Sequence, residues 1–248
     1  MIKLGKIDKG FDNLFCRRCV TKGGTTMAVI TISRKLGSQG DYVAEKAAEM
    51  LGYHYVDKKF IGAVLDKYGL IKFDKTYNSI PSFWDKFDAQ KAERRETMVN
   101  MLNRVMRALA CHGNVVILGR SGFLLFKGYA DVLNIRIQAP VSYRIERVMK
   151  KEKTTLDEAE TIVKHGDEVR SAFVKSFYNV QWDIFNAFDL LIDTSKISSE
   201  MAIQWVVEAA RKLEESNVGE GLTTTSIQVD SVLAETISDA LKCNTAHR

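Results

Sequence analysis

The chain has 248 residues, of which 46% are hydrophobic and 27% charged. That composition excludes a disordered, collagen-like or low-complexity protein and is compatible with a core that buries roughly 70–75% of the unfolded surface. The formal charge of +5 is too dilute over this length for a dedicated nucleic-acid-binding face, and a site for phosphorylated small molecules accounts for it equally well.

No apolar run approaches the roughly 18–20 residues that span a bilayer. The stretch around Lys3, Lys6, Lys9, Arg17 and Arg18 lacks the apolar segment and cleavage site of a signal peptide. A cytoplasmic protein without a membrane partner is therefore expected. Residues 1–26 show no periodicity and end in Lys22-Gly23-Gly24-Thr25-Thr26, which predicts a flexible leader, with Met27 as an alternative start. Cys16, Cys19, Cys111 and Cys243 are too scattered for a disulfide framework. Cys16 and Cys19 form a CxxC with no second pair at zinc-site spacing, so they read as ordinary thiols.

From Met27 onward, β-branched apolar runs alternate with helical patterns, the signature of a parallel sheet with crossover helices. Buried strands are predicted at residues 28–33, 115–118, 132–138 and 190–193. Helices are predicted near residues 41–51, stopped by Gly52, and near 89–111. In the latter, Met98, Leu102, Val105 and Leu109 recur on one face and predict core packing. Pro140 suits the start of a helix through Arg144 and Arg147. Thr155 and Glu158 have the spacing of a capping box, which predicts a helix from there to about Tyr178. An amphipathic helix at about 199–213 carries Ile203, Val206, Val207 and Ala210. Residues 214–248 read as a linker with Gly219 and Gly221, followed by a short amphipathic stretch.

The most informative segment is the turn after the first strand, where Gly37, Ser38 and Gly40 precede a helix. Glycines at such a junction let backbone N–H groups face an anion, and the helix N-terminus adds partial positive charge. A purely structural strand-to-helix turn has the same outline. The pattern GxxxxGK[ST] is not matched. With Gly37 as the central glycine, Gly40 stands in the lysine's place and Tyr42 in the hydroxyl residue's place, and Arg34 and Lys35 are the cations near enough to substitute.

The run Ser33-Arg34-Lys35-Leu36-Gly37-Ser38-Gln39-Gly40, followed by Val43-Ala44-Glu45-Lys46 and Leu51-Gly52-Tyr53-His54-Tyr55-Val56-Asp57, resembles the opening of the cytidylate kinase-like family, a branch of P-loop kinases with a degenerate phosphate loop. In the same order, Val115-Val116-Ile117-Leu118-Gly119-Arg120 resembles the strand and Gly-Arg that face the acceptor. Arg144-Ile145-Glu146-Arg147 and Asp167-Glu168-Val169-Arg170 resemble the arginine-bearing lid helices. Tyr178 to Trp182 and Phe188-Asp189-Leu190-Leu191-Ile192-Asp193-Thr194-Ser195 resemble the closing signature. The likeness covers roughly residues 27–212. It implies an α/β, P-loop NTPase-type three-layer fold, a parallel sheet flanked by helices with a helical lid. It also implies ATP as phosphoryl donor with Mg2+, and a nucleoside monophosphate such as CMP or dCMP as acceptor.

The resemblance assigns the donor phosphates to Arg34, Lys35, Gly37, Ser38, Gln39, Gly40, Asp41 and Tyr42. It assigns the acceptor to Asp57, Gly119 and Arg120, and the transferred group to Arg144, Arg147 and Arg170, with Lys175 nearby. Converging arginines suit a reaction that needs positioning and positive charge more than covalent help. Plainer readings stand beside these. The helix arginines would serve equally as solvated charges beside Glu146 or Glu168, Asp57 as a helix N-cap before Lys58, and Asp193-Thr194 as strand-ending turn residues. Leu118 and Ser121 stand where cytidylate kinases generally carry acidic residues, which leaves open a different acceptor or a nucleotide-binding protein without turnover. No dedicated metal ligands are expected; magnesium would be held by nucleotide oxygens and water.

Overall fold

The computed structural model describes residues 28–67, 89–216 and 221–245; the leader with Cys16 and Cys19 lies outside them. The sheet contains β1 (Val29–Arg34), β2 (His54–Val56), β3 (Val115–Leu118), β4 (Val132–Gln138) and β5 (Leu190–Asp193). All pairings are parallel and the order is β2-β3-β1-β4-β5. β1 is central because Val29, Ile30 and Ile32 are fully buried, as a strand covered on both faces requires. The predicted strands are all present. The three-residue β2 was not anticipated, being too short for a periodic signal.

Alternating side chains of the strands feed two cores. On one face Ile30, Ile32, Val116 and Ile135 pack against α1 (Gly40–Leu51) and, through Ala202, Ile203, Val206 and Ala210, against α7 (Ser199–Glu215). On the other face Val29, Val115 and Ile117 pack against α2 (Lys58–Lys67) and α3 (Ala89–His112). The helical stripe reads as expected: Leu102, Val105 and Leu109 are fully buried, and Met98 packs beside them. Gly52 ends α1 in the left-handed region at φ 68, and its N–H reaches the carbonyls of Ala48 and Glu49.

Beyond β3 come the single-turn α4 (Gly122–Leu125), α5 (Val141–Glu152) and α6 (Leu156–Tyr178). The Thr155–Glu158 capping box is formed, and α5 and α6 pack together through Ile145, Val148, Ala159 and Val163. Leu36, in the turn that follows β1, packs against the same cluster.

The C-terminal segment is part of the core. Leu233, Ile237 and Leu241 of α8 (Ser231–Thr245) are buried among residues of α2 and α3. Its approach is fixed by the buried Asp131, whose carboxylate accepts from Thr224 N at 2.8 Å and Thr224 Oγ1 at 2.5 Å. Cys111, near the end of α3, is disulfide-bonded, a cross-link that the scattered cysteines did not predict. No described helix is long and apolar enough to cross a membrane.

Candidate active site

The turn between β1 and α1 is closed from its inner side. Lys35 N donates to Ile137 O at 3.1 Å, and Ser38 N donates to Lys35 O at 3.2 Å. Ser38 is completely buried, and its hydroxyl lies 2.8 Å from Lys35 O and 3.1 Å from Ile137 O. Its side chain therefore holds the turn rather than facing outward. Gly37, at φ +80, admits no side chain, because a Cβ there would lie 2.7 Å from Arg144 O. Gln39 is left-handed at φ 62, and its Oε1 accepts from Ser199 Oγ at 2.7 Å.

Among the described residues, no acceptor meets the N–H groups of Gly37, Gln39, Gly40, Asp41 and Tyr42. The helical ladder begins only with Val43 N, which donates to Gln39 O at 3.0 Å. Backbone donors clustered at the start of a three-turn helix form an anion-receptive surface, since the helix dipole favours negative charge there.

Arg34 crosses this surface. Its Nε donates to Asp41 Oδ1 at 2.7 Å. A Cβ at Gly40 would lie 2.4 Å from Arg34 Cβ, and a Cβ at Gly119 would lie 2.5 Å from Arg34 Nη1. The side chain thus runs over the first residue of α1 and places its guanidinium against the turn after β3. In that turn Gly119, Arg120 and Ser121 are all left-handed, at φ 77, 53 and 58. For Arg120 and Ser121 the conformation costs roughly 1–2 kcal/mol each, and strain of this kind clusters at functional sites. Gly119 N donates to Ile32 O at 2.9 Å, which ties the turn to β1.

Arg170 of α6 joins the same electrostatic environment. Its guanidinium is pushed down to about 10 by burial, then by Arg34, with Arg120 adding to the repulsion and Asp41 and Asp167 opposing it. Arg170 Nη1 donates to Gly166 O at 2.8 Å. Arg120 lies 5.6 Å from the Phe173 ring; burial pushes the neighbouring Tyr178 hydroxyl up, to about 12, with the Arg120 charge opposing the rise. Arg34, Arg120 and Arg170, from three separated segments, therefore converge around one end of the sheet.

The other expected site residues are held differently. Arg144, 3% exposed, donates from Nε to Ala139 O at 3.0 Å and from Nη1 to Leu36 O at 3.0 Å and Asp167 Oδ2 at 2.8 Å. Arg147 is turned toward the end of β5, donating to Thr194 Oγ1 at 3.0 Å and Thr194 O at 2.6 Å. Thr194 Oγ1 in turn lies 2.9 Å from Ser38 O. Lys35 Nζ is 3.5 Å from Asp183 Oδ2. Asp57 Oδ1 accepts from Phe60 N at 2.9 Å, the N-cap arrangement that opens α2. Tyr42 and Lys175 are exposed.

Sequence reasoning passed over Arg136. It lies on β4, buried, with its guanidinium 4.1 Å from the Trp182 ring and bonded to Ser33 Oγ at 2.7 Å and Asp183 Oδ1 at 2.8 Å. Burial lowers its pKa, while Asp183 opposes the shift. A cation inside an apolar strand gives no periodic signal, although Trp182 was visible within the closing signature. Among the described residues no group of three or more His, Cys, Asp or Glu is arranged to hold a metal.

The profile of the cytidylate kinase-like family matches residues 29–196, a span that holds the glycine turn, the left-handed turn after β3 and all three converging arginines. The chain belongs to the cytidylate kinase-like family. Curated relatives include the cytidylate kinase of Pyrobaculum islandicum, 27% identical over 72% of this chain and 90% of the relative. The cytidylate kinase of Methanocaldococcus jannaschii is 31% identical over 50% of this chain and 70% of the relative. An uncharacterized protein from Eubacterium ventriosum shares the fold, with a TM-score of 0.60 and 20% identity over 75% of this chain and 99% of that one. Family membership accords with the observed α/β arrangement, a five-stranded parallel sheet with helices on both faces.

Proposed function

We propose that this member of the family transfers the γ-phosphoryl group of ATP to a small phosphorylated acceptor, with CMP or dCMP preferred. The observation that carries the reading is the path of Arg34, which begins in the donor turn, passes over Gly40 and ends against Gly119. A single side chain thereby runs between the two places that would hold the reacting phosphates, with its guanidinium at the Gly119 end. Gly40 stands where a P-loop lysine would be, and the volume its side chain would need is taken by the Arg34 stem. Arg34 thus supplies the missing cation from the preceding strand.

In this reading the open amides of Gly37, Gln39, Gly40, Asp41 and Tyr42 cradle donor phosphate oxygens. Arg120 grips the acceptor phosphate through its planar fork. Arg170 approaches the transferred group, where a polyanion offsets the burial and like-charge repulsion acting on it. Arg147 and Thr194 border the donor side, while Lys35 serves as a second cation beside the donor phosphates. Magnesium enters on the nucleotide, retaining phosphate oxygens and water as ligands. The names of the curated relatives support cytosine nucleotides as acceptors. Leu118 and Ser121 beside Gly119 and Arg120 supply no carboxylate to read the cytosine amine.

A coupled ADP-release assay with ATP against a panel of nucleoside monophosphates tests the proposal. Turnover that is fastest with CMP or dCMP supports it. ATP binding seen as a thermal shift, with no turnover on any acceptor, indicates a nucleotide-binding regulatory protein instead.

A further inference from the structure

We infer that Asp167 is a positioning residue that fastens the lid helix α6 to the donor turn, so that the turn's open amides and Arg170 keep fixed places relative to each other. The inference rests on the donor-site reading above. Asp167 Oδ1 accepts from Leu36 N at 3.0 Å, and its Oδ2 accepts from Arg144 Nη1 at 2.8 Å. The same Arg144 nitrogen donates to Leu36 O at 3.0 Å, and Arg144 Nε holds Ala139 O at 3.0 Å. Leu36 is therefore held at both its N–H and its C=O by an ion pair formed between α5 and α6.

Packing reinforces this clasp. The Leu36 side chain enters the apolar cluster of Ile145, Val148, Ala159 and Val163 that joins α5 to α6. A Cβ at Gly166 would lie 2.6 Å from Leu36 Cδ1, so glycine allows the helix to rest on the turn. Arg170 follows Asp167 by three residues, close to one helical turn, and donates to Gly166 O at 2.8 Å. The carbonyl that aims Arg170 thus belongs to the residue that seats α6 on Leu36.

Charge-assisted bonds in a largely buried network are stronger and more directional than exposed ones. Removing one member leaves the others unpaired. Leu36 N also differs from the outward amides of the turn, since it faces the lid helices while Gly37, Gln39, Gly40, Asp41 and Tyr42 remain open. Asp167 accordingly fixes the back of the turn and leaves its anion-receptive front free. Because the turn is itself bonded to Ile137 O through Lys35 N and the Ser38 hydroxyl, the clasp holds α6, and Arg170 with it, at a fixed place beside the donor amides.

Two measurements test the clasp. The first compares wild type and Asp167→Asn for the KM of ATP, the KM of CMP and kcat. A rise of about tenfold or more in the KM of ATP, with the KM of CMP unchanged within about twofold, is expected; equal donor affinities in a folded variant overturn the inference. The second follows amide hydrogen exchange of the unliganded wild type, which needs neither turnover nor a folded variant. Slow exchange at Leu36, comparable with β1, is expected, whereas exchange as fast as at Gly40 overturns the clasp. Wild-type protein that neither binds nor turns over ATP defeats the donor-site reading, while the exchange experiment still judges the clasp by itself.

Discussion

The stem of Arg34 occupies the volume that a side chain at Gly40 would require: a Cβ at residue 40 would approach Arg34 Cβ to 2.4 Å and Arg34 Cγ to 2.9 Å. The two positions are therefore mutually exclusive sources of a cation. Gly40→Ala is expected to push Arg34 away from Gly119 and weaken ATP binding. Arg34→Ala is expected to weaken it by about 10- to 100-fold, the range for one charge-assisted bond of roughly 1.5–3 kcal/mol. Alanine at residue 34 keeps the Cβ that a side chain at residue 40 would meet at 2.4 Å, so the rescue uses Arg34→Gly with Gly40→Lys, which removes that atom, restores a cation in the vacated space and should bind ATP more tightly than Arg34→Ala alone. Calorimetric titration of the four proteins checks the ordering.

Arg120 combines a left-handed backbone at φ 53 with the guanidinium proposed to hold the acceptor. Glycine adopts that conformation without strain, so Arg120→Gly separates the two contributions. Relief of roughly 1–2 kcal/mol of strain offsets the greater freedom of glycine in the unfolded chain and the lost contact with Phe173. Thermal stability is expected to stay within about 1 kcal/mol of wild type. The KM for the monophosphate should rise about 10- to 100-fold while that for ATP changes less than about threefold. Steady-state kinetics with each substrate varied in turn decides the matter.

Arg170 carries its charge against burial and against Arg34 and Arg120, so its pKa lies at about 10 in the folded protein, below its ordinary value. A cation with a depressed pKa disfavours the folded state at every pH below the folded value, and the penalty lifts only as pH rises through about 10. Between pH 6 and 9 this residue therefore adds no slope to stability. Arg170→Met is expected to raise the melting temperature of the unliganded protein throughout that range. The same variant should show a smaller stabilisation by ATP or inorganic phosphate than wild type. Thermal melts with and without these anions measure both effects, and an unliganded melting temperature below wild type contradicts the expectation.

Asp131 is 1% exposed, and its carboxylate receives both the N–H and the hydroxyl of Thr224. Asp131→Ala leaves those two donors buried without partners, at about 1–3 kcal/mol for each unsatisfied group. A stability loss of about 2–4 kcal/mol and a melting temperature lower by roughly 5–15 °C are expected. Because α8 buries Leu233, Ile237 and Leu241 against α2 and α3, protease sensitivity should appear first in residues 221–245. Limited proteolysis followed by mass spectrometry locates the first cut.

Much of the fold is legible in the sequence. The β-branched runs at β1, β3 and β4 carry the apolar signal of strands buried on both faces, whereas the predicted burial of β5 holds only in part, since this edge strand leaves Leu191 exposed. Thr155 and Glu158 mark the start of α6 through a reciprocal cap that depends only on local spacing. The site was legible in part. The glycines of the turn between β1 and α1 and the Gly119-Arg120 pair are visible as local patterns, whereas the partners of the arginines are not. Arg144 and Arg147, three residues apart on one helix, read alike in sequence, yet one holds Leu36 and Asp167 and the other holds Thr194. Arg136 was missed because a buried cation on a strand is recognisable only once Trp182 and Asp183 are brought to it.

The amino-acid sequence by itself determined the alternation of strands and helices, the glycine-bearing turn after β1 and the ends of its principal helices. These depend on propensity, periodicity and capping within a few residues. Tertiary structure alone decided which charged groups share a site. Leu36 and Asp167 stand 131 residues apart along the chain, and Arg34 meets Gly119 only because β1 and β3 lie side by side in register. Side-chain electrostatics acts across a few ångströms of space, and it is the packing of α5 and α6 over the sheet that sets those distances.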